Sequence, residues 1–317
     1  MTLLHFKMLS FKPLLPGRSR HVASIDDSEG NTQQLLFFTE VGRKETIPEN
    51  NFEEELKEYV EEDSTPQDFR VKEQYKLNIV PSNNITGLQR ETISVFGKSG
   101  SGKSWQIKNY IRNYKLLHPG NNVYFYSLNK LENDPSYDED LLENITQIDL
   151  MSVDCAILPE NYKDSLFVFD DVLDVKFSLS PAEVFGLQYR LADIATKSRL
   201  ERECNKKATS IKSFLNESVK NILNLGRKYN ASCIAVYHKL RSGIESTFAV
   251  EESSACWLYP YTATKQALHS FMAERLSFSK DDIKAFAKNE EFYQYDFLCI
   301  NNAGKLFYFT PNHFKFV

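Results

Sequence analysis

Apolar and polar positions change rhythm along this chain near residue 85. Before that point the apolar and alternating pieces HVASI and QLLFFTEV, within residues 20–47, flank DDSEGNT. Its Asp, Gly and Asn carry turn chemistry, and the stretch predicts a small β-hairpin. Residues 50–63, NNFEEELKEYVEED, space Phe52, Leu56 and Val60 at i, i+4 and i+8, which predicts an acidic helix with one packed stripe. After the turn-rich SNNITG at 82–87, strand-like and helix-like stretches alternate, the pattern of a parallel sheet covered by helices. Strands are expected over TISVF (92–96), NVYFYSL (122–128), SLFVFD (165–170), SCIAVYH (232–238), ACWLY (255–259), YDFLCI (295–300) and KLFYFT (305–310). The last two flank NNAG, a hairpin turn signal. Between Ser180 and Asn230 lies a long, polar, helix-favouring segment with few strand formers.

This rhythm divides the chain into an N-terminal accessory region, 1–85, and an α/β domain, 86–317, carrying a helical, basic insertion at about 176–216. A length of 317 residues accommodates one large domain or two, at roughly 150 residues each. With 42% hydrophobic and 26% charged residues, the composition is that of an ordinary globular protein. The formal charge of −5 argues against a uniformly basic nucleic-acid coat, but the charge is unevenly placed. Residues 190–228 hold ten basic against four acidic side chains, so this segment is +6 and the remainder −11. Such a helical face either contacts nucleic-acid phosphates or is simply solvated. The aromatics of LFYFTPNHFKF at the end of the chain read chiefly as strand packing, with base stacking as the other option.

The five cysteines, 155, 204, 233, 256 and 299, are odd in number and widely spaced. They predict neither a disulfide framework nor a zinc site, and suit a reducing compartment. His5, Lys7 and Lys12 interrupt the apolar start MTLLHFKMLSFKPLLP before a signal-peptide core forms, and no apolar run has the length of a membrane helix.

One stretch changes the picture. Gly97-Lys98-Ser99-Gly100-Ser101-Gly102-Lys103-Ser104 fits G-x-x-x-x-G-K-[ST] between an expected strand and the helix-like WQIKNYIRNYKLL, which starts at Trp105. Glycines let backbone N–H groups curl around an anion, and the following helix turns its positive end to the same point. The spacing predicts a phosphate loop with Lys103 on the β- and γ-phosphates and Ser104 on Mg²⁺. The expected strand SLFVFD ends on Asp170, an acid placed to hold the metal's water shell; Asp171 follows, placed to orient or deprotonate an attacking water. The fold class expected is therefore an α/β P-loop NTPase, a mainly parallel sheet between helices, preceded by a small region of β-strands and an acidic helix. ATP is preferred to GTP because Asn129-Lys130-Leu131-Glu132 has Glu where a guanine-reading N-K-x-D requires Asp. A small-molecule kinase stays open at this point.

The stretch LNLGRKYNASCIAVYHKLR, 223–241, sets an arginine before an apolar strand and a polar residue at its end. With the two motifs upstream, over roughly residues 90–310, it resembles the FtsK/HerA superfamily of DNA-pumping ATPases, nearest the genome-packaging ATPases of large double-stranded DNA viruses. That resemblance implies that Gly97 to Ser104, with Trp105 beside them, bind ATP, that Asp170 and Asp171 form the Mg²⁺ and water site, that Arg227 is an arginine finger acting in trans, and that His238 is a sensor. His238 stands where cellular relatives usually carry Gln, and the stretch 176–216 is longer than the corresponding connection. The resemblance further implies a homo-oligomeric ring, hexameric or pentameric, on double-stranded DNA. Its expected partners are capsid, portal or inner-membrane vertex proteins, and its expected locations the host cytoplasm, a viral factory or the virion. The basic segment 190–228 is then the candidate channel lining. Two other activities stay open: a helicase or DNA pump unconnected with packaging, and a nucleotide-dependent assembly or scaffold protein.

Overall fold

The computed structural model describes residues 6–12, 14–15, 19–41, 57–65, 68–79, 90–134, 137–173, 178–239, 244–262, 265–275, 279, 281, 283–284, 297–301 and 306–316. Strands β1 (Phe6–Ser10), β2 (Ser19–Asp27), β3 (Thr32–Val41) and β5 (Tyr75–Ile79) form an antiparallel sheet in the order β1-β3-β2-β5. The expected hairpin is its β2–β3 pair. Asp27 Oδ1 accepts from the N–H groups of Glu29 and Asn31 at 3.0 and 2.8 Å, and Gly30 turns at φ 87°. The acidic helix lies mostly outside the described residues. Val60 itself sits in an antiparallel bridge to Val71, 2% exposed, rather than on a helical stripe. Its β-branched side chain suits the extended pairing.

The second sheet has ten strands. Its parallel part comprises β6 (Thr92–Phe96), β7 (Asn122–Ser127), β8 (Thr146–Ile148), β9 (Ser165–Asp170), β10 (Ala231–Tyr237) and β11 (Ala255–Leu258). An antiparallel extension adds β12 (Phe297–Asn301), β13 (Leu306–Phe309), β14 (His313–Phe316) and β4 (Asp68–Arg70), giving the order β4-β14-β13-β12-β11-β6-β10-β9-β7-β8. The strands β6, β9 and β10 are buried at every residue, as parallel strands covered on both faces must be. The expected turn at NNAG falls largely outside the described residues.

Alternation along each strand supplies two cores. On one face Ile93, Val95, Ile234 and Val236 meet Ile107, Tyr110, Ile111 and Tyr114 of helix α1 (Lys103–Leu117), and the same cluster takes in Ala23, Ile25, Leu36 and Leu77 of the small sheet. On the other face Cys233, Ala235 and Tyr237 meet Ile211, Leu215, Val219 and Ile222 of α2 (Ile194–Leu225) together with residues of α3 (Ile244–Glu252) and α4 (Lys265–Arg275). The 32 residues of α2 make a rod ~48 Å long. Asp193 caps it, accepting from Thr196 N at 2.7 Å. The helix runs through residue 216 without a break. Over its first half only Leu200, Cys204 and Ala208 are buried. The boundary set near residue 85 lies outside the described residues. The Phe314 ring is 2% exposed and stacks on Phe69 at 5.3 Å, which is strand packing.

Candidate functional site

The glycine loop leaves the carboxyl end of β6 and enters α1 at Lys103. Gly97 N donates to Tyr237 O at 3.0 Å, which continues the β6–β10 ladder one step into the loop. Gly100 and Gly102 take φ 78° and 94°, the left-handed region that glycine enters without strain. Gly97 is needed for a different reason. A Cβ there would lie 2.8 Å from Ser101 Oγ and 2.8 Å from Tyr259 Cβ, so the loop packs too closely for any side chain. The Lys103 ammonium is buried, 5% exposed, and donates to the carbonyls of Gly97 and Lys98 at 2.7 and 2.8 Å. Ser101 Oγ is buried with no hydrogen-bond partner. A backbone cradle, a buried ammonium and an unpaired hydroxyl are what an anionic ligand would complete.

Three strand ends stand side by side above this loop, because β10 lies between β6 and β9. Asp170 ends β9 and is 7% exposed; burial, then the charge of Asp171, push its carboxyl up to about 7 against the pull of Lys103 and His238. Asp171 is held at φ 57°, a left-handed backbone that Asp tolerates better than most residues, and it faces the cleft. Its carboxylate meets His238 Nε2 at 2.5 Å. Burial raises the Asp171 carboxyl, but the hydrogen bond and charge of His238, with Lys103, outweigh it and leave the group below its ordinary value. The structure thus joins the second acid directly to the residue expected as sensor. The donors offered by Ser104, Asp170 and Asp171 are all oxygens, the set that suits Mg²⁺.

Lys103, Ser104, Asp171 and His238 line a cleft of about 570 Å³. Of the expected loop residues, Ser99, Gly100, Gly102, Lys103, Ser104 and Trp105 are in its wall, while Gly97, Lys98, Ser101 and the buried Asp170 are not among the lining residues. The wall also holds residues that sequence reasoning missed: Lys76, Gln106, Asp134, Tyr259, Phe297 and Pro311. Asp134 belongs to no motif. Its one local signal was the run of polar residues after β7. Tyr137, buried nearby, has its hydroxyl without a hydrogen-bond partner, and its phenol is raised well above the ordinary value by burial and then by Asp170, Asp134 and Asp171.

Arg227 is elsewhere. It is exposed in the turn Gly226–Tyr229 that precedes β10, whereas His238 follows that strand. The seven residues of β10 rise ~3.3 Å each and so separate the two by ~20 Å. Gly226 beside it is explained by packing: a Cβ would come within 2.9 Å of Arg90 Nη1 and 3.0 Å of Ala231 O. The Arg90 guanidinium there donates to the carbonyls of Ile222 and Leu223, closing the carboxyl end of α2. Arg199, Arg202 and Lys206 line a shallow depression near the exposed beginning of α2.

A mainly parallel sheet, a glycine loop between strand and helix, and carboxylates at the end of the next strand but one define an α/β P-loop NTPase fold. No protein-family model matches the chain. Among curated proteins, the uncharacterized protein V3 of Sputnik virophage is 30% identical over 112 residues, which is 32% of this chain and 40% of that protein. The match thus spans less than half the length of that relative. Similar solved structures include a viral genome-packaging NTPase and a conjugation coupling protein. The genome packaging NTPase B204 of Sulfolobus turreted icosahedral virus 2, in complex with ATP-gammaS, is 13% identical with a TM-score of 0.43, over 70% of this chain and 97% of that one. The pCW3 conjugation coupling protein TcpA, with ATPgS, is 13% identical with a TM-score of 0.39, over 93% of this chain and 76% of that one. No helix among the described residues is long and apolar enough to cross a membrane.

Proposed function

We propose that this chain is an ATP-driven double-stranded DNA translocase of the genome-packaging kind. The observation that carries the nucleotide half of this reading is the glycine cradle with Lys103 facing the Asp171–His238 pair across one cleft. Phosphoryl transfer needs little covalent help from a protein; it needs the phosphates held, their charge offset and a water aimed at them. In this reading the loop amides and Lys103 hold the β- and γ-phosphates. Ser104 and Asp170 would hold Mg²⁺, which when bound would offset the charge of the phosphates. Asp171, kept ionised and oriented by His238, holds the attacking water and accepts its proton.

The DNA half rests on charge and placement. Arg227 lies too far from its own cleft to serve it, so it acts on the cleft of a neighbouring copy in a ring. An arginine supplied in this way contributes ~10³–10⁵ in rate and ties hydrolysis to movement between subunits. The basic, exposed first half of α2 contacts DNA phosphates, which gives grip without sequence reading. Capsid or vertex partners and a viral location belong to the same reading.

The test is ATP hydrolysis by purified protein without DNA, with single-stranded DNA and with double-stranded DNA. Stimulation by the duplex is expected. Stimulation by single strands alone would make the protein a helicase-like enzyme, and slow turnover indifferent to both would make it a nucleotide-dependent assembly protein.

A further inference from the structure

The cleft continues past the glycine loop to a wall that phosphate chemistry does not use. Strand order fixes its two sides: β10 and β9 lie on one side of β6, and β11 and β12 on the other. A triphosphate seated on the loop with its terminal phosphate toward Asp171 and His238 therefore extends its nucleoside over β11 and β12. The wall there is Trp105, Gln106, Tyr259, Phe297, Pro311 and Lys76, mostly apolar and aromatic with few polar groups, as sugar and base pockets are. Gln106 is 2% exposed, lines the cleft, and has its Nε2 without a hydrogen-bond partner. A buried donor left unpaired is unfavourable, and a ligand acceptor would satisfy it.

Lys76 belongs to β5, in the small N-terminal sheet rather than the large one. Its place at the cleft is held from both sides. The next residue, Leu77, donates its N–H to Pro311 O at 2.7 Å. Asn78 accepts from Asn109 Nδ2 of α1 at 3.1 Å and donates to Asp26 Oδ2 of β2 at 2.5 Å, all three side chains being buried. Buried polar contacts of this kind resist rearrangement, so β5 is fixed to the helix that begins at the phosphate loop.

We propose that the N-terminal sheet is part of the nucleotide site, with Lys76 and Gln106 holding the sugar and base of a nucleoside triphosphate whose phosphates lie on the glycine loop. This rests on the nucleotide reading above and gives the small N-terminal sheet a role in it. Occupancy of the nucleoside end then stiffens β5 and, through Asn78 and Asp26, the sheet behind it.

The experiment is hydrogen exchange on the full chain with Mg²⁺ and either a non-hydrolysable ATP analogue or inorganic tripolyphosphate, together with the affinities of Lys76→Ala and the volume-conserving Gln106→Met for both probes. The expected result is that both probes slow exchange over residues 97–104 while only the ATP analogue slows it over 75–79. Each variant should bind the ATP analogue ~10-fold more weakly, the loss of about one hydrogen bond to a charged or buried group, and tripolyphosphate as before. Protection of the loop by both probes with 75–79 unchanged and both variants at native affinity would overturn the proposal and leave the phosphate reading standing. Equal losses for both probes in Lys76→Ala would make Lys76 a phosphate ligand and also overturn it. No protection of the loop by either probe would remove the nucleotide reading first, and the proposal with it.

Discussion

The two ends of β10 could hardly differ more. At its carboxyl end His238 is mostly buried and bonded to Asp171, whose carboxyl it helps hold below the ordinary value, beside Asp170, whose carboxyl burial raises. Ahead of its amino end Arg227 stands exposed, with Gly226 beneath it pressed against Arg90 and Ala231. One end is arranged to bind and polarise a ligand within a single chain. The other presents a cation to whatever comes next to it, and a surface cation gains strength only when a partner excludes water around it. The chemistry proposed here therefore needs two copies, each lending the other the end it does not use.

The largest effect expected tests that division. Arg227→Ala should bind ATP normally and lose ~10³-fold or more in turnover. Mixed with Lys103→Ala protein after subunit exchange, it should partly recover, since some junctions then join an intact loop to an intact arginine. If exchange is demonstrated and no mixture exceeds the sum of its parents, Arg227 does not act across a boundary. Lys103→Ala alone should lose ~10²–10³-fold in turnover, as for removal of one preorganised group from developing charge, with circular dichroism unchanged. Native turnover in that variant would mean the buried end of β10 faces no phosphate site.

A third test sharpens the contrast in burial through pH. Without divalent cations, Asp170 has a folded-state value of about 7 against 3.8 for the exposed group. Between those values the native chain keeps a proton that the unfolded chain has released, so this group's contribution is present at low pH and is lost as pH rises toward 7. Asp170→Asn should thus be more stable than the native protein at neutral pH, by on the order of a few kcal/mol, and the gap should close below about pH 4. Asp171, shifted the other way, contributes stability above its ordinary range that falls away on acidification. Thermal midpoints of both proteins across pH, in chelator, check the sign. A gap that widens on acidification would contradict the burial of Asp170.

Smaller effects belong to the exposed end. Gly226→Ala should cost ~1–2 kcal/mol in urea unfolding, because the Ala231 carbonyl is backbone and cannot step aside. An unchanged midpoint would show that the turn relaxes, and that close packing is not why glycine precedes Arg227. Replacing Lys206 and Lys207 with Gln should lower DNA affinity and reduce the slope of log affinity against log salt by ~2 units, about one per lost phosphate contact, leaving ATP affinity as it was. An unaltered slope would return that face of α2 to solvent.

What sequence alone determined follows from local rules. A phosphate loop is a run of eight positions between a strand and a helix, and each requirement, glycine freedom, a lysine, a hydroxyl, is met by a residue a few positions from the next. The strands β6, β9, β10 and β11 were legible for a similar reason, since burial on both faces leaves an almost unbroken apolar run. Tertiary structure alone decided what depends on which strands stand together. No spacing announces that His238 bonds Asp171; that follows from β10 lying beside β9 in parallel register. Lys76, Phe297 and Pro311 come from three distant parts of the chain and carry no motif, yet the antiparallel extension and the small sheet bring them to one wall. Val60 exchanged an expected helical stripe for an isolated bridge to Val71, and Gly226 is glycine because the Ala231 carbonyl and the guanidinium of Arg90, far away in the chain, crowd it. Periodicity records how a segment can bury itself; the identity of the surface it is buried against is a property of the whole fold.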